Sequence, residues 1–212
     1  MTILEVKRVS YAVENKKIIE NVSFTVEKGE HITLTGPSGG GKSTLLKLVA
    51  SLLTPTSGDI CLEGNAQSTF LPNDYRQEVS YCFQQPVLFG RTVYDNLLFP
   101  FTIRKKEFDK QKACDWLEQA ALPAIFLEKE ITGLSGGEKQ RIAFIRNLLF
   151  LPKILLLDEV TVGLDAKNKE VIHQLIHTLK EKDRTIIQIT HDTEEIKQAQ
   201  RLLTMEGGKL SE

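Results

Sequence analysis

The 212 residues are 41% hydrophobic and 26% charged, proportions ordinary for a globular protein. With 27 basic against 28 acidic side chains the net charge is −1, which excludes the global positive field of a polybasic nucleic-acid or lipid binder. No stretch approaches the ~20 apolar residues of a membrane-spanning helix. Residues 1–5 lack the basic-then-apolar pattern of a secretory signal. Cys61, Cys82 and Cys114 form no CxxC and read as free, buried thiols of a reducing cytosol.

Residues 3–9 alternate apolar and polar and predict a half-buried strand, as do residues 22–26. After the turn Glu27-Lys28-Gly29-Glu30, residues 31–35 read as a strand running into a glycine-rich loop at 36–41. From Ser43, the residues Leu45, Leu46, Leu48 and Val49 recur at helical spacing. Pro55 and Gly58 end that unit, and residues 60–62 form a short strand. Residues 106–121 give a charged helical pattern broken by Pro123, and a second helix spans 137–150, ended by Pro152. Residues 154–157 are continuously apolar, as in a central parallel strand. A helix near 166–182, a strand at 185–190 and a further helix follow. A helical insert at 85–151 thus interrupts an α/β core formed by 1–84 and 152–212.

Gly36-Pro37-Ser38-Gly39-Gly40-Gly41-Lys42-Ser43 fits G-x-x-x-x-G-K-[ST] between a predicted strand and helix. Glycines let successive backbone N–H groups turn inward as an anion nest, and the helix beginning at Ser43-Thr44 adds its positive dipole end. Lys42 supplies a full charge to the β- and γ-phosphates, and the Ser43 hydroxyl suits Mg²⁺. Ile154-Leu155-Leu156-Leu157-Asp158-Glu159 ends a buried strand in adjacent carboxylates. Beside a phosphate loop, Asp158 is expected to hold Mg²⁺ through water and Glu159 to act as general base on the attacking water. In Leu134-Ser135-Gly136-Gly137-Glu138, Ser135 is a good N-cap, and the glycines leave the following amides open to an anion.

These strings together resemble the nucleotide-binding subunits of ATP-binding-cassette (ABC) transporters over nearly the whole chain, with residues 134–138 similar to their signature motif. The resemblance implies a RecA-like P-loop NTPase core with an N-terminal antiparallel β portion and an inserted α-helical subdomain. It also implies a head-to-tail dimer with ATP sandwiched between Lys42 of one copy and Ser135, Gly136 and Gly137 of the other. Tyr11 resembles the aromatic that stacks on adenine. Gln84 resembles the glutamine that reaches Mg²⁺ and the attacking water and faces the transport subunit. Asp165, in Val162-Gly163-Leu164-Asp165, resembles the loop that crosses the dimer, and His191 the histidine that contacts the γ-phosphate. On residues alone each has another reading: Tyr11 a surface aromatic, Gln84 a strand-end polar group, Asp165 a helix cap, His191 a cap for the helix near Thr193. Val160 stands where the family often has Pro, and Val162-Gly163 where it often has Ser-Ala or Ser-Gly.

His173 and His177 lie four apart on a predicted helix but lack the Glu of H-E-x-x-H, so a plain helix face is expected. Arg104, Lys105, Lys106, Lys110 and Lys112 read as a solvated basic face. The apolar run Val87-Leu88-Phe89, Val93 and Leu97-Leu98-Phe99, following Gln84, is mostly core by default and also a candidate dock for a permease helix. The segments 79–90, 95–97 and 145–153 are similar to small bacterial cassettes paired with an iron-exporting permease. The expectation is therefore an ATPase using ATP and Mg²⁺, working with a second copy of itself and an integral-membrane permease. It would bind no nucleic acid and would sit on the cytoplasmic face of the inner membrane. The competing classes are a soluble non-transport ABC ATPase and an ATP-sensing module; a GTP switch lacks its N/T-K-x-D motif.

Overall fold

The computed structural model describes residues 1–14, 16–181 and 184–212. Along the chain run β1 (Thr2–Val13), β2 (Lys16–Glu27), β3 (His31–Thr35), α1 (Lys42–Val49), β4 (Ser57–Leu62), β5 (Asn65–Ala66), α2 (Pro72–Glu78), β6 (Val79–Cys82) and α3 (Val93–Thr102). Then come α4 (Lys110–Gln119), α5 (Gly136–Leu148), β7 (Ile154–Asp158), α6 (Ala166–Glu181), β8 (Thr185–Ile189), α7 (Thr193–Lys197), β9 (Arg201–Glu206) and β10 (Lys209–Ser211). These gather into two units, one of Met1–Tyr81, Lys153–Glu159 and Lys182–Glu212, the other of Cys82–Pro152 and Val160–Glu181.

In the first unit, β1 pairs antiparallel with β2 on one edge and with β4 on the other, in the order β2-β1-β4-β5. Leu4 and Val6 point into the core, as their alternation predicts, and a register shift between Val6 and Val9, with Arg8 at φ 49°, brings Val9 into it as well. β1 runs beyond residue 9 because backbone pairing with β2 continues to Val13 after the apolar period has lapsed. The second sheet has the order β10-β9-β3-β8-β7-β6. β3 is parallel to both β8 and β9, and β7 is parallel to β8. β7 and β8 are buried throughout, which is why their apolar residues run without alternation. The unpredicted β9 and β10 form an antiparallel hairpin turned by Gly207 and Gly208, at φ 54° and 80°. Leu45, Leu46, Leu48 and Val49 of α1 join Ile32, Leu34, Ile154, Leu156, Ile187 and Ile189 in one core. Each such side chain contributes about 1.5–3 kcal/mol by leaving water.

In the second unit, α3 begins at a capping box: Thr92 Oγ1 accepts from Asp95 N–H, and Asp95 Oδ2 accepts from Thr92 N–H at 2.9 Å. Asp109 caps α4, accepting from Lys112 N–H at 2.9 Å, so the helix starts at Lys110 rather than 106. α5 ends at Leu148, short of the predicted 150. The predicted end of α6 at Lys182 lies outside the described residues. The basic cluster is more than a solvated face, because three of its cations converge on one aromatic ring. Arg104 Cζ, Lys106 Nζ and Lys112 Nζ lie 4.6, 5.2 and 4.6 Å from the Phe150 ring centre. Their stems cover apolar surface while the charges stay near water.

Cys61 and Cys82 are buried and Cys114 is half-buried, all with free thiols. Among the described residues no helix is long and apolar enough to cross a membrane.

Candidate active site

Three neighbouring parallel strands, β3, β8 and β7, aim their carboxyl ends the same way. β3 delivers the phosphate loop, β8 delivers Thr190-His191, and β7 ends in Asp158-Glu159. This is where ligands bind in open α/β sheets.

Gly36 and Gly41 of the loop leave no room for a side chain. At Gly36 (φ 128°) a Cβ would stand 2.0 Å from the Met205 carbonyl oxygen of β9. At Gly41 (φ 100°), the N-cap of α1, it would stand 2.9 Å from the Ile18 carbonyl oxygen. Pro37, Ser38, Gly39 and Gly40 complete the turn, and Thr44 lies in the first turn of α1. Gly41 makes no side-chain cap, so the first amides of α1, which have no intrahelical acceptor, suit an anion. Lys42 is buried at 5% exposure, its Nζ donating to the Gly36 and Pro37 carbonyl oxygens at 2.8 and 2.9 Å. Burial pushes its pKa below the ordinary value, against the pull of Glu159 and Asp158. An arriving phosphate would relieve that penalty.

Ser43 Oγ donates to Asp158 Oδ1 at 2.9 Å, and the Tyr81 hydroxyl donates to the other oxygen, Oδ2. A hydroxyl and a carboxylate so joined are hard oxygen donors. They fit Mg²⁺, which takes one or two protein oxygens and fills its sphere with phosphate and water. Glu159 is held in the left-handed region at φ 50°, a conformation that costs a non-glycine residue energy and concentrates at functional sites. Its carboxylate Oε1 lies 3.1 Å from His191 Nε2. Such a pair can hold or pass a proton. His191 is not the cap of α7: Asp192 is, accepting from the Glu194 and Glu195 N–H groups at 2.9 and 3.1 Å. Tyr11 is paired with Ile19 across the β1–β2 ribbon, and Ile18 and Ile19 are the residues against which Gly41 packs. Tyr11 therefore stands one strand from the loop, half-buried against the core.

The remaining candidates lie in the second unit. Gln84 is exposed. Ser135 caps α5 in a full capping box, its N–H donating to Glu138 Oε2 at 2.8 Å and its Oγ accepting from Glu138 N–H at 3.3 Å. Gly136 has open space where a side chain would stand, whereas a Cβ on Gly137 would meet the Asn168 amide at 2.6 Å. Asn168 in turn donates through Nδ2 to Asp165 Oδ2 at 2.7 Å, and its N–H donates to Asp165 Oδ1 at 2.8 Å. Asp165 thus caps α6, and Asn168 joins the signature to the 162–165 loop. The only sequence sign of Asn168 was its position three residues beyond Asp165. Of the apolar run after Gln84, Val93 and Leu97 are buried, while Val87, Phe89 and Phe99 are 60%, 39% and 43% exposed. Val160 is buried and Val162 is 51% exposed.

A family model described as ABC transporter matches residues 19–162. The chain is 50% identical over 205 residues to "Probable iron export ATP-binding protein FetA" of Escherichia coli, covering 96% of this chain and 91% of that one. It is 36% identical to an energy-coupling factor transporter ATP-binding protein, EcfA1, of Mycoplasma pneumoniae, over 95% and 75% of the two chains. Spermidine/putrescine import ATP-binding proteins are relatives as well. Among solved structures, a dimeric ATP-binding cassette in a post-hydrolysis state with ADP and phosphate matches with TM-score 0.89 and 27% identity, over 99% and 97% of the chains. A bacterial Atm1-family ABC exporter with ATP bound matches with TM-score 0.89 and 28% identity, over 100% of this chain and 38% of that one. The fold is thus the RecA-like P-loop NTPase core with N-terminal antiparallel strands and an inserted helical subdomain. The chain belongs to the ABC transporter family and is an ATP-binding, ATP-hydrolysing nucleotide-binding subunit.

Proposed function

We propose that this chain powers a separate integral-membrane permease from the cytoplasmic face of the membrane, and that the cargo is iron or a related metal ion moved outward. Near end-to-end 50% identity with a protein named for iron export carries the cargo reading. The convergence of the loop, Asp158, Glu159 and His191 at three adjacent strand ends supports the chemistry.

In this reading residues 1–84 and 152–212 hydrolyse ATP, and 85–151 present the signature to a partner copy. Tyr11 stacks on adenine. The amides of 36–44 and the Lys42 ammonium hold the phosphates, and Ser135, Gly136 and Gly137 of the partner subunit close over them, with Asp165 crossing the dimer. Ser43, Asp158 and Gln84 would hold Mg²⁺, which neutralises phosphate charge when bound. Glu159 takes a proton from water as its oxygen bonds to the γ-phosphorus and the bond to the ADP oxygen breaks. His191 keeps Glu159 oriented and contacts the γ-phosphate. Positioning and charge neutralisation supply most of the rate. Gln84 and the exposed Val87, Phe89 and Phe99 form the face toward the permease.

Co-expression with its permease, purification of the complex and reconstitution with the ATPase outside the vesicle tests the reading. Iron(II) is expected to accelerate hydrolysis and to accumulate in the lumen. Hydrolysis indifferent to iron and other divalent metals, but accelerated by an unrelated solute, overturns the cargo.

A further inference from the structure

We propose that Tyr81 is a positioning residue for hydrolysis, its hydroxyl fixing the orientation of the Asp158 carboxylate. The inference rests on the reading of Asp158 as a Mg²⁺ ligand. β6 and β7 are neighbours in the sheet, so Tyr81 and Asp158 sit near the ends of adjacent strands. Both side chains are buried, at 8% and 5% exposure. The Tyr81 ring belongs to the apolar core, a place phenylalanine would fill equally well. Packing therefore accounts for the ring and leaves the hydroxyl to be explained.

That hydroxyl donates to Asp158 Oδ2, while Ser43 Oγ donates to Oδ1. A carboxylate held at both oxygens cannot turn about its terminal torsion. Oδ1 is thereby kept beside the serine hydroxyl with which it would share a cation. Groups that orient a metal ligand in this way commonly matter 10- to 100-fold to metal affinity or activity.

The test compares Tyr81→Phe, Asp158→Asn and the unaltered protein in three measurements. These are Mg²⁺ half-saturation of ATP hydrolysis, Mn²⁺ binding to the nucleotide complex by electron paramagnetic resonance, and ATP binding without metal. For Tyr81→Phe both metal constants are expected to rise about 10-fold, with metal-free ATP binding unchanged. Unchanged metal constants, or an equal loss of metal-free ATP binding, overturn the proposal. If Asp158→Asn itself leaves the metal constants unchanged, it is the Asp158 reading that fails. If only Tyr81→Phe leaves them unchanged, the positioning role alone fails. Should Tyr81→Phe not fold, 3-fluorotyrosine placed at 81 keeps the ring and makes the hydroxyl more acidic. A few-fold shift in Mn²⁺ binding then supports the role, and no shift overturns it.

Discussion

At the residue scale the site divides into groups announced by spacing and groups disclosed by strand order. Lys42, Ser43, Asp158 and Glu159 were legible because phosphate binding needs glycines, a cation and a helix start in a fixed order, and because a buried strand seldom ends in two carboxylates. The hydroxyl of Tyr81 was not, since its partner is reached only once β6 lies beside β7. Tyr11 was legible through family resemblance alone. Its place one strand from Gly41 now gives it a geometric argument. Tyr11→Ala is expected to weaken ATP binding by about 1–3 kcal/mol, measured by titration calorimetry. Unchanged affinity would return Tyr11 to a packing role.

At the element scale, termini governed by side-chain caps were partly visible. Ser135 was read as an N-cap, and the structure adds the reciprocal bond from Ser135 N–H to Glu138. Ser135→Ala is expected to cost about 1 kcal/mol of stability by denaturant titration. The Ser135 N–H holds the Glu138 carboxyl below its ordinary range, assisted by Lys129. Because the folded pKa is the lower one, this stabilisation is complete above the unfolded carboxyl's pKa and is lost as pH falls through the folded value. Glu138→Gln should therefore flatten the acid limb of the stability profile and leave its alkaline limb alone; an unchanged acid limb would contradict the assignment.

α3 escaped sequence reading because Pro100 interrupts its pattern and its apolar residues run together. What holds its start is Asn96, fully buried. Its Nδ2 donates to the Phe89 and Thr92 carbonyl oxygens at 2.8 and 2.9 Å, and its Oδ1 accepts from Phe89 N–H and Arg146 Nη1, each at 3.1 Å. Asn96→Ala removes these four hydrogen bonds to part-buried groups and should cost about 2 kcal/mol, read from thermal or denaturant unfolding. A change within experimental error would show that the 89–92 turn does not depend on it.

At the scale of the whole molecule, the alternation of strand and helix predicted an α/β core interrupted by helices. Sheet order was beyond it. β3 lies between β8 and β9, which follow it by some 150 residues or more, and the β9–β10 hairpin depends on two glycines in left-handed conformations. That order sets Asp158, Glu159 and His191 beside the phosphate loop. The near-zero net charge fits a phosphate site whose positive charge comes from one loop, one lysine and a helix end rather than from a basic surface overall. In the proposed reading Glu159, aimed by its left-handed backbone and paired with His191, is the base whose turnover releases an ATP-bound dimer. Steady-state hydrolysis and molecular mass in the presence of Mg²⁺ and ATP, compared between the unaltered protein and Glu159→Gln, test it most directly. No measurable turnover is expected in the variant, with ATP retained and a persistent dimer; hydrolysis at the unaltered rate would show that Glu159 is not the base.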